Sequence, residues 1–484
     1  MTPHFCLCHI ILIMMTSSDK NNSPDKLLFY AFCILLVWLP LPLGSNRAWA
    51  WSIMEIWVYL LTAAWCYLYF RNKVHISDSL RSGKFIIFAF VLWLLFIAIQ
   101  LLPLPTNIMN IVSPFASEHW SSFANASLSI DIKATRISWM LSLAYVLVFF
   151  LTLVLITNRK RLKTMALVLV FSGLFQAVYG SLMALSTSKY SFFFTEYLNS
   201  PNATGTFVNR NHLAGYLEMT IAIGIGLLIS MLGSSTPGDT FKKKALNIFR
   251  LLMSAKARIR VSLVMMVIAL VLTHSRMGNT AFWVSLLITG SIGLVFSKYA
   301  TRSAVILFVS LILIDILILG QWFGLEKVKQ RIEQTTLETA IRDEADIYAL
   351  EQWKDYRLVG SGLGSFYAVF PQYREADIGV YFDHTHNDYL EFATETGVLG
   401  IILLGFVTVI SLFAALLAQY RRHDPLMRGI SFASIMGITA ILIHSSVDFN
   451  LHIPSNAATF VILLAFAWIS LSLGRRELNS SGQG

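Results

Sequence analysis

The sequence predicts an all-α polytopic membrane protein, and three observations predict it. Long apolar stretches recur along all 484 residues; 56% of the chain is hydrophobic and only 13% charged; and Lys and Arg gather in alternate connecting segments. A soluble fold cannot hide that much apolar surface. In lipid, only helices or closed barrels satisfy their own backbone groups. A barrel would alternate polar and apolar residues in segments of about ten, and this chain does not.

From the N-terminus, residues 1–26 are expected to form a cytoplasmic tail. Its opening, MTPHFCLCHIILIMM, is apolar but too short to span. It lacks a basic n-region and a small-residue cleavage site, so a signal peptide is not expected; a start at Met14 or Met15 is the plain alternative. About twelve spans follow: 27–43, 49–70, 85–102, 137–156, 164–185, 213–232, 261–273, 281–296, 304–323, 398–418, 429–444 and 457–473. Residues 27–323 hold the first nine, 324–397 form one long loop, 398–473 hold the last three, and 474–484 are a tail. Several spans, 261–273 above all, need flanking residues or neighbouring helices to fill a core of roughly 30 Å.

Orientation follows from charge. One alternating set of loops carries 24 of the 37 Lys and Arg; the other carries 13, seven of them in the long loop. Short loops govern the positive-inside rule, so both termini are expected in the cytoplasm and the long loop outside. That loop holds 14 of the 27 Asp and Glu. The basic remainder is therefore a membrane face attracted to anionic lipid, not a nucleic-acid binder. Residues 326–356 read as an amphipathic helical cap. Cys6, Cys8, Cys33 and Cys66 give no loop pair, so no structural disulfide is expected.

On this topology four polar clusters share the outer side. The first, PNATGTFVNRNHLAGYLE at 201–218, places Arg210 at a helix mouth and Asn211 as its N-cap. The bland alternative for Arg210 is a side chain reaching the headgroups. The second, THSRMGN at 273–279, puts Arg276 in a short outer turn, against the charge bias; a headgroup contact is again the alternative.

The third is DHTHNDYLEFATETG at 383–397. Thr385 to Asp388 fits a capping box, which would place His386 in the first turn of a helix running into span ten. A helix N-terminus disfavours an imidazolium, and a neutral imidazole is what a general base needs. Asp383 and Asp388 could orient the ring. A metal reading would use His384, His386 and Asp388. Two His two apart suit a strand better than a helix, and no third His or Cys is near in sequence, so no metal is expected. A solvated, capped loop is the plain alternative. The fourth, HSSVDFNLHIP at 444–454, brings Asp448 and reads as a connector or as a second wall of one cavity. GSGLGSF at 360–366 does not follow a buried strand, so it is read as a tight turn and not as a nucleotide loop. Two arginines and a histidine at a membrane cavity suit an anionic lipid-linked substrate, with cations for phosphate and a base for a hydroxyl.

GTFVNRNHLAGYL, SRMG, GSGLGSF, HTHNDYLEFATETGVLG and HSSVDFNLHIP together resemble the O-antigen ligase and polymerase superfamily of bacterial envelope proteins, over roughly residues 200–460. The resemblance implies a GT-C-like glycosyltransferase of the inner membrane with its site facing the periplasm. It implies an undecaprenyl-pyrophosphate-linked glycan as donor and lipid A-core, or a second lipid-linked glycan, as acceptor. It implies no metal and no other cofactor. The family's pyrophosphate-binding residues match Arg276 and Arg210, and its catalytic histidine, followed by Asn, matches His386. Asn387, Asp388, His384, Asn211 and Asp448 are expected to support them. A transporter or flippase of the same lipid-linked glycan is the competing class. It explains the spans and the arginines but accounts less well for the single His-Asn motif on an acidic outer loop, and the sequence shows no repeated half or paired broken helices.

Overall fold

The computed structural model describes residues 23–122, 126–186, 202–231, 255–296, 344–375 and 382–474. Among these, eleven long helices follow one another: α1 (Lys26–Trp38), α2 (Ala48–Phe70), α3 (Lys84–Leu101), α4 (Ile132–Leu155), α5 (Arg159–Leu185), α6 (Arg210–Ser230), α7 (Ala255–Leu272), α8 (Arg276–Val295), α9 (Asp388–Arg421), α10 (Pro425–His444) and α11 (Pro454–Ser472). Nine are long and apolar enough to cross a membrane; α1 has only 13 residues, and α7 opens with Lys256, Arg258 and Arg260. The described residues contain no strand, only a bridge between Leu104 and Ala126. Eleven of the twelve expected spans are helical, and the twelfth, 304–323, lies outside the described residues.

The arrangement follows from which helices are apolar all round. α6, α10 and α11 are buried over most of their length, while the apolar stretches of α2, α3 and α9 are buried over a third or less. On α9, Ile402, Phe406, Val409 and Phe413 are exposed at helical spacing, a lipid-facing stripe. Inside lipid, tight packing needs small residues. A Cβ built on Gly226 of α6 would lie 2.2 Å from the Gly429 carbonyl of α10, so these two backbones meet without side chains between them. At one end of the bundle, Arg161 grips Asp25 with both guanidinium nitrogens, each at 2.8 Å. A buried cation is tolerated there because a bidentate carboxylate answers it.

α4 to α8, α10 and α11 start three to six residues before their expected spans, and two further boundaries differ for a visible physical reason. The first expected span, 27–43, ends as a helix at Trp38. Pro40 and Pro42 have no N–H to continue the ladder, and Gly44 turns the chain at φ 66°. The tenth starts ten residues early: α9 begins at Asp388 and is broken at Gly397, whose φ is 61°. The break leaves backbone groups without helical partners, and the 357–362 turn takes them up. Ser361 N and Gly362 N donate to Thr394 O and Glu395 O at 3.0 and 2.9 Å, and Val398 N donates to Arg357 O at 2.9 Å. Such close crossing requires missing side chains: a Cβ on Gly360 would sit 2.1 Å from Glu395 C, and one on Gly397 2.4 Å from Leu358 C. GSGLGSF is thus a turn, as read, and its purpose is to mend a broken helix.

Above that break lies a small cap made by two segments. Residues 344–355 form a helix whose Ala345 and Ala349 pack on Phe366 and Phe370. The rest of the expected 326–356 cap helix lies outside the described residues. The second segment, not recognised from sequence, joins α3 to α4; its Met109, Ala116, Leu128 and Ile130 pack on Tyr356, Val359 and Val369.

Candidate functional site

The four polar clusters meet at one end of the bundle because the helices that carry them start or stop there. α6, α8, α9 and α11 begin at this end, and α7 and α10 finish at it. Ala203 N donates to Leu272 O at 2.8 Å, tying the first cluster to the end of α7. Asn456 Nδ2 donates to His212 O at 2.9 Å, tying the start of α11 to α6. Asp388 N donates to Ser445 O at 3.0 Å, seating the start of α9 on the end of α10.

His386 stands just before α9, not in its first turn. The N-cap is Asn387, whose side chain accepts from Leu390 N at 3.2 Å, so the expected capping box at Thr385 does not form. Thr385 instead closes a tighter local turn: its Oγ1 accepts from Asn387 N at 3.1 Å and donates to Asn387 O at 2.8 Å. That turn holds His386 at φ 58°, the left-handed region that side chains seldom enter. The expected cap at Asn211 also moves: Asn209 caps α6 by accepting from Asn211 N at 2.9 Å, because Asn209 is the last extended residue before the helix.

The carboxylate beside His386 is Asp448, not Asp388. Asp448 Oδ1 lies 3.5 Å from His386 Nδ1 and 3.7 Å from His212 Nε2, ion-pair rather than hydrogen-bond separations. Its burial alone would raise the carboxyl, but the imidazoles of His212 and His386 hold it well below the usual carboxylate range. Asp388 is buried and committed elsewhere. Its Oδ2 accepts from Ser445 Oγ at 2.6 Å and Leu451 N at 3.0 Å, and its Oδ1 faces His452 Nδ1 at 2.8 Å. Asp383 is exposed. Phe449 is the hub between the rings, with His384, His212 and His386 centred 4.3, 4.6 and 4.9 Å from it.

His384 is drawn into a neighbouring set. Its Nδ1 lies 2.6 Å from Glu391 Oε1, while Glu391 Oε2 accepts from Thr385 N at 3.0 Å. His452 Nε2 approaches the same Glu391 Oε1 at 3.3 Å. Burial favours neutral His452, but the charge of Glu391, then Asp388 and Glu395, push it up to about 10. Glu395 caps the mended turn by accepting from Phe366 N at 3.0 Å.

Arg210 and Arg276 are the first residues of α6 and α8. The two helices meet at this end through a small residue: a Cβ on Gly278 would lie 2.6 Å from Ala214 Cβ and 3.1 Å from Glu218 Oε1. Arg276 is exposed and Arg210 half-buried. Glu218 in turn faces His444 Nδ1 at 2.8 Å. Two parallel helix starts, each headed by a guanidinium, make a place for an anion.

Sequence reading missed Glu391, Glu218 and Gln100 as members of this region. Glu218 carried a signal, a carboxylate inside an apolar span. Gln100, at the end of α3, carried little. Its Nε2 donates to Val359 O and Glu395 O at 2.7 and 3.0 Å, and its Oε1 accepts from Leu363 N at 3.1 Å, pinning the turn that mends α9. Beside Asp388, Glu395 and His452, a cavity of about 450 Å³ runs between α3, α4, α9 and α11, lined further in by Phe392, Leu404, Phe460 and Leu464. It is polar at one end and apolar along its length.

No curated protein matches the chain. Residues 261–405 match the family model described as O-antigen ligase. The matched stretch contains Arg276, His384 to Glu395 and the break at Gly397; Arg210 and Asp448 lie outside it. Over residues 261–405, this membrane protein carries the domain of the O-antigen ligase family, in the O-antigen ligase and Wzy-type superfamily.

Proposed function

We propose that the protein is a glycosyltransferase of the inner membrane that moves a glycan from undecaprenyl pyrophosphate to an acceptor hydroxyl on the periplasmic side. The acceptor is lipid A-core or a second lipid-linked glycan. The observation that carries this reading is His386, a ring on a strained left-handed residue, held against a buried carboxylate where two arginine-headed helices open. Backbone strain kept at a polar cluster is characteristic of working residues.

In this reading Asp448 faces Nδ1, which leaves Nε2 for substrate. The acceptor O–H gives its proton to Nε2 as its oxygen bonds to the anomeric carbon. The bond from that carbon to the pyrophosphate oxygen breaks, and undecaprenyl pyrophosphate leaves with the electron pair. Arg276 and Arg210 face the charge that grows on it. A single direct displacement inverts the anomeric centre. Base and cations supply the whole step, and none of it is assigned to a metal or nucleotide. The cavity beside α9, polar at one end and apolar along its length, supports a substrate with a lipid tail.

The test is transfer by purified protein in detergent, with lipid-linked donor and acceptor and no gradient. New glycoconjugate is expected, and His386→Ala should lower it by ~10²-fold or more while donor binding persists. Movement of the donor across liposomes without any new covalent product would replace this reading with a flippase.

A further inference from the structure

We propose that His384, Glu391 and His452 form a binding site for one divalent transition cation of the zinc class, which braces the loop bearing His386. The sequence argues against a metal because no third His or Cys lies near His384 and His386. The fold supplies one from 68 residues further along: His452, in the turn before α11. The ligand atoms of the three residues all lie within 4.8 Å of one another. Two imidazole nitrogens and a carboxylate oxygen suit zinc or a neighbouring transition metal, not magnesium or calcium.

Three details separate this set from an ordinary polar cluster. First, both rings approach one oxygen, Glu391 Oε1, but only His384 makes a hydrogen bond to it. His452 Nε2 is buried and has no hydrogen-bond partner among the described residues. Second, two of the three ligands are held from behind. His452 Nδ1 faces Asp388 Oδ1 at 2.8 Å, and Glu391 Oε2 takes Thr385 N at 3.0 Å, the outer contacts that fix a metal-binding imidazole or carboxylate. Third, stacking fixes the ring planes: His384 lies on Phe449 and His452 on Phe392, with interplanar angles of 22° and 24°. Zinc bonds of about 2.0–2.2 Å need ligand atoms about 3.3–3.6 Å apart in a tetrahedron. The 3.3 Å edge between His452 and Glu391 already has that length, and the 2.6 Å edge to His384 must open.

Such an ion would join three separate segments: the loop before α9, the first turns of α9, and the turn before α11. It would stand two residues from His386 without touching the base, so it is a brace and takes no part in the transfer. Binding is measured without donor or acceptor, so its outcome is separate from that of the transferase reading.

The test is titration of the chelator-stripped, detergent-purified full chain with Co²⁺, read by visible d–d absorption and displaced by Zn²⁺. One equivalent per chain is expected. Glu391→Gln and His452→Gln should each weaken binding by ~100-fold or more, Asp388→Asn by ~10-fold or more, and His386→Ala should leave it unchanged. In the unmutated protein, Zn²⁺ and not Mg²⁺ should raise the melting temperature and shield His384 and His452 from acylation by diethyl pyrocarbonate, read by peptide mass. No saturable Co²⁺ at one equivalent, binding unaltered in both glutamine variants, or no shielding of either histidine would overturn the site. The shielding arm needs no variant to fold.

Discussion

Asp448→Asn removes the carboxylate charge that faces His386 while keeping the side chain's shape. The carboxylate oxygen stands 3.5 Å from His386 Nδ1, and the aspartate is fully buried. At an effective dielectric of about 20, a full charge pair at that distance is worth about 5 kcal/mol. The imidazolium is only partly formed in the transition state. About half of that interaction, ~2 kcal/mol, is therefore lost, or roughly 30-fold in kcat. The proposed donor clamp at Arg210 and Arg276 is unaltered, so donor KM should move little. The assay is initial-rate transfer in detergent at several donor concentrations, with thermal unfolding as the check that the variant is intact. A kcat within about threefold of the unmutated protein, or a loss confined to donor KM, would refute the orienting role.

Three further outcomes are expected. Arg276→Lys should lose most transfer activity although charge is kept, because a planar fork grips two phosphate oxygens and an ammonium does not; Arg276→Ala should be inactive but folded, Arg210→Ala should weaken donor use, and donor binding by the purified variants checks all three. Gly397→Ala should lower the melting temperature and the amount of folded protein, since its Cβ would lie 2.4 Å from the Leu358 backbone at a φ of 61°; an unchanged unfolding curve would mean that α9 is not broken there. Reporter fusions at 160 should read cytoplasmic and fusions within 330–380 periplasmic, and the reverse result would put the site on the wrong side of the membrane.

The chain by itself determined what one-dimensional pattern can carry. Burial of apolar runs is a local requirement, so eleven helices stand where hydropathy placed spans, and the turn chemistry of GSGLGSF was legible from its glycines. His386, Arg276 and Arg210 stood out because polar groups beside an apolar span need a reason. What tertiary structure decided is partnership. Asp388 is two residues from His386 and yet serves His452, whereas Asp448, 62 residues on, serves His386. A left-handed residue before the cap brings its ring to Asp448, and no local spacing rule contains that turn. The break in α9 was hidden for the same reason. A helix interrupted inside an apolar run is stable only when other backbone takes up its freed groups, and those come from the 357–362 turn and from Gln100, almost 300 residues upstream of Glu395. Hydrogen-bond partners are chosen by proximity in space, and proximity between distant segments exists only once the helices have packed.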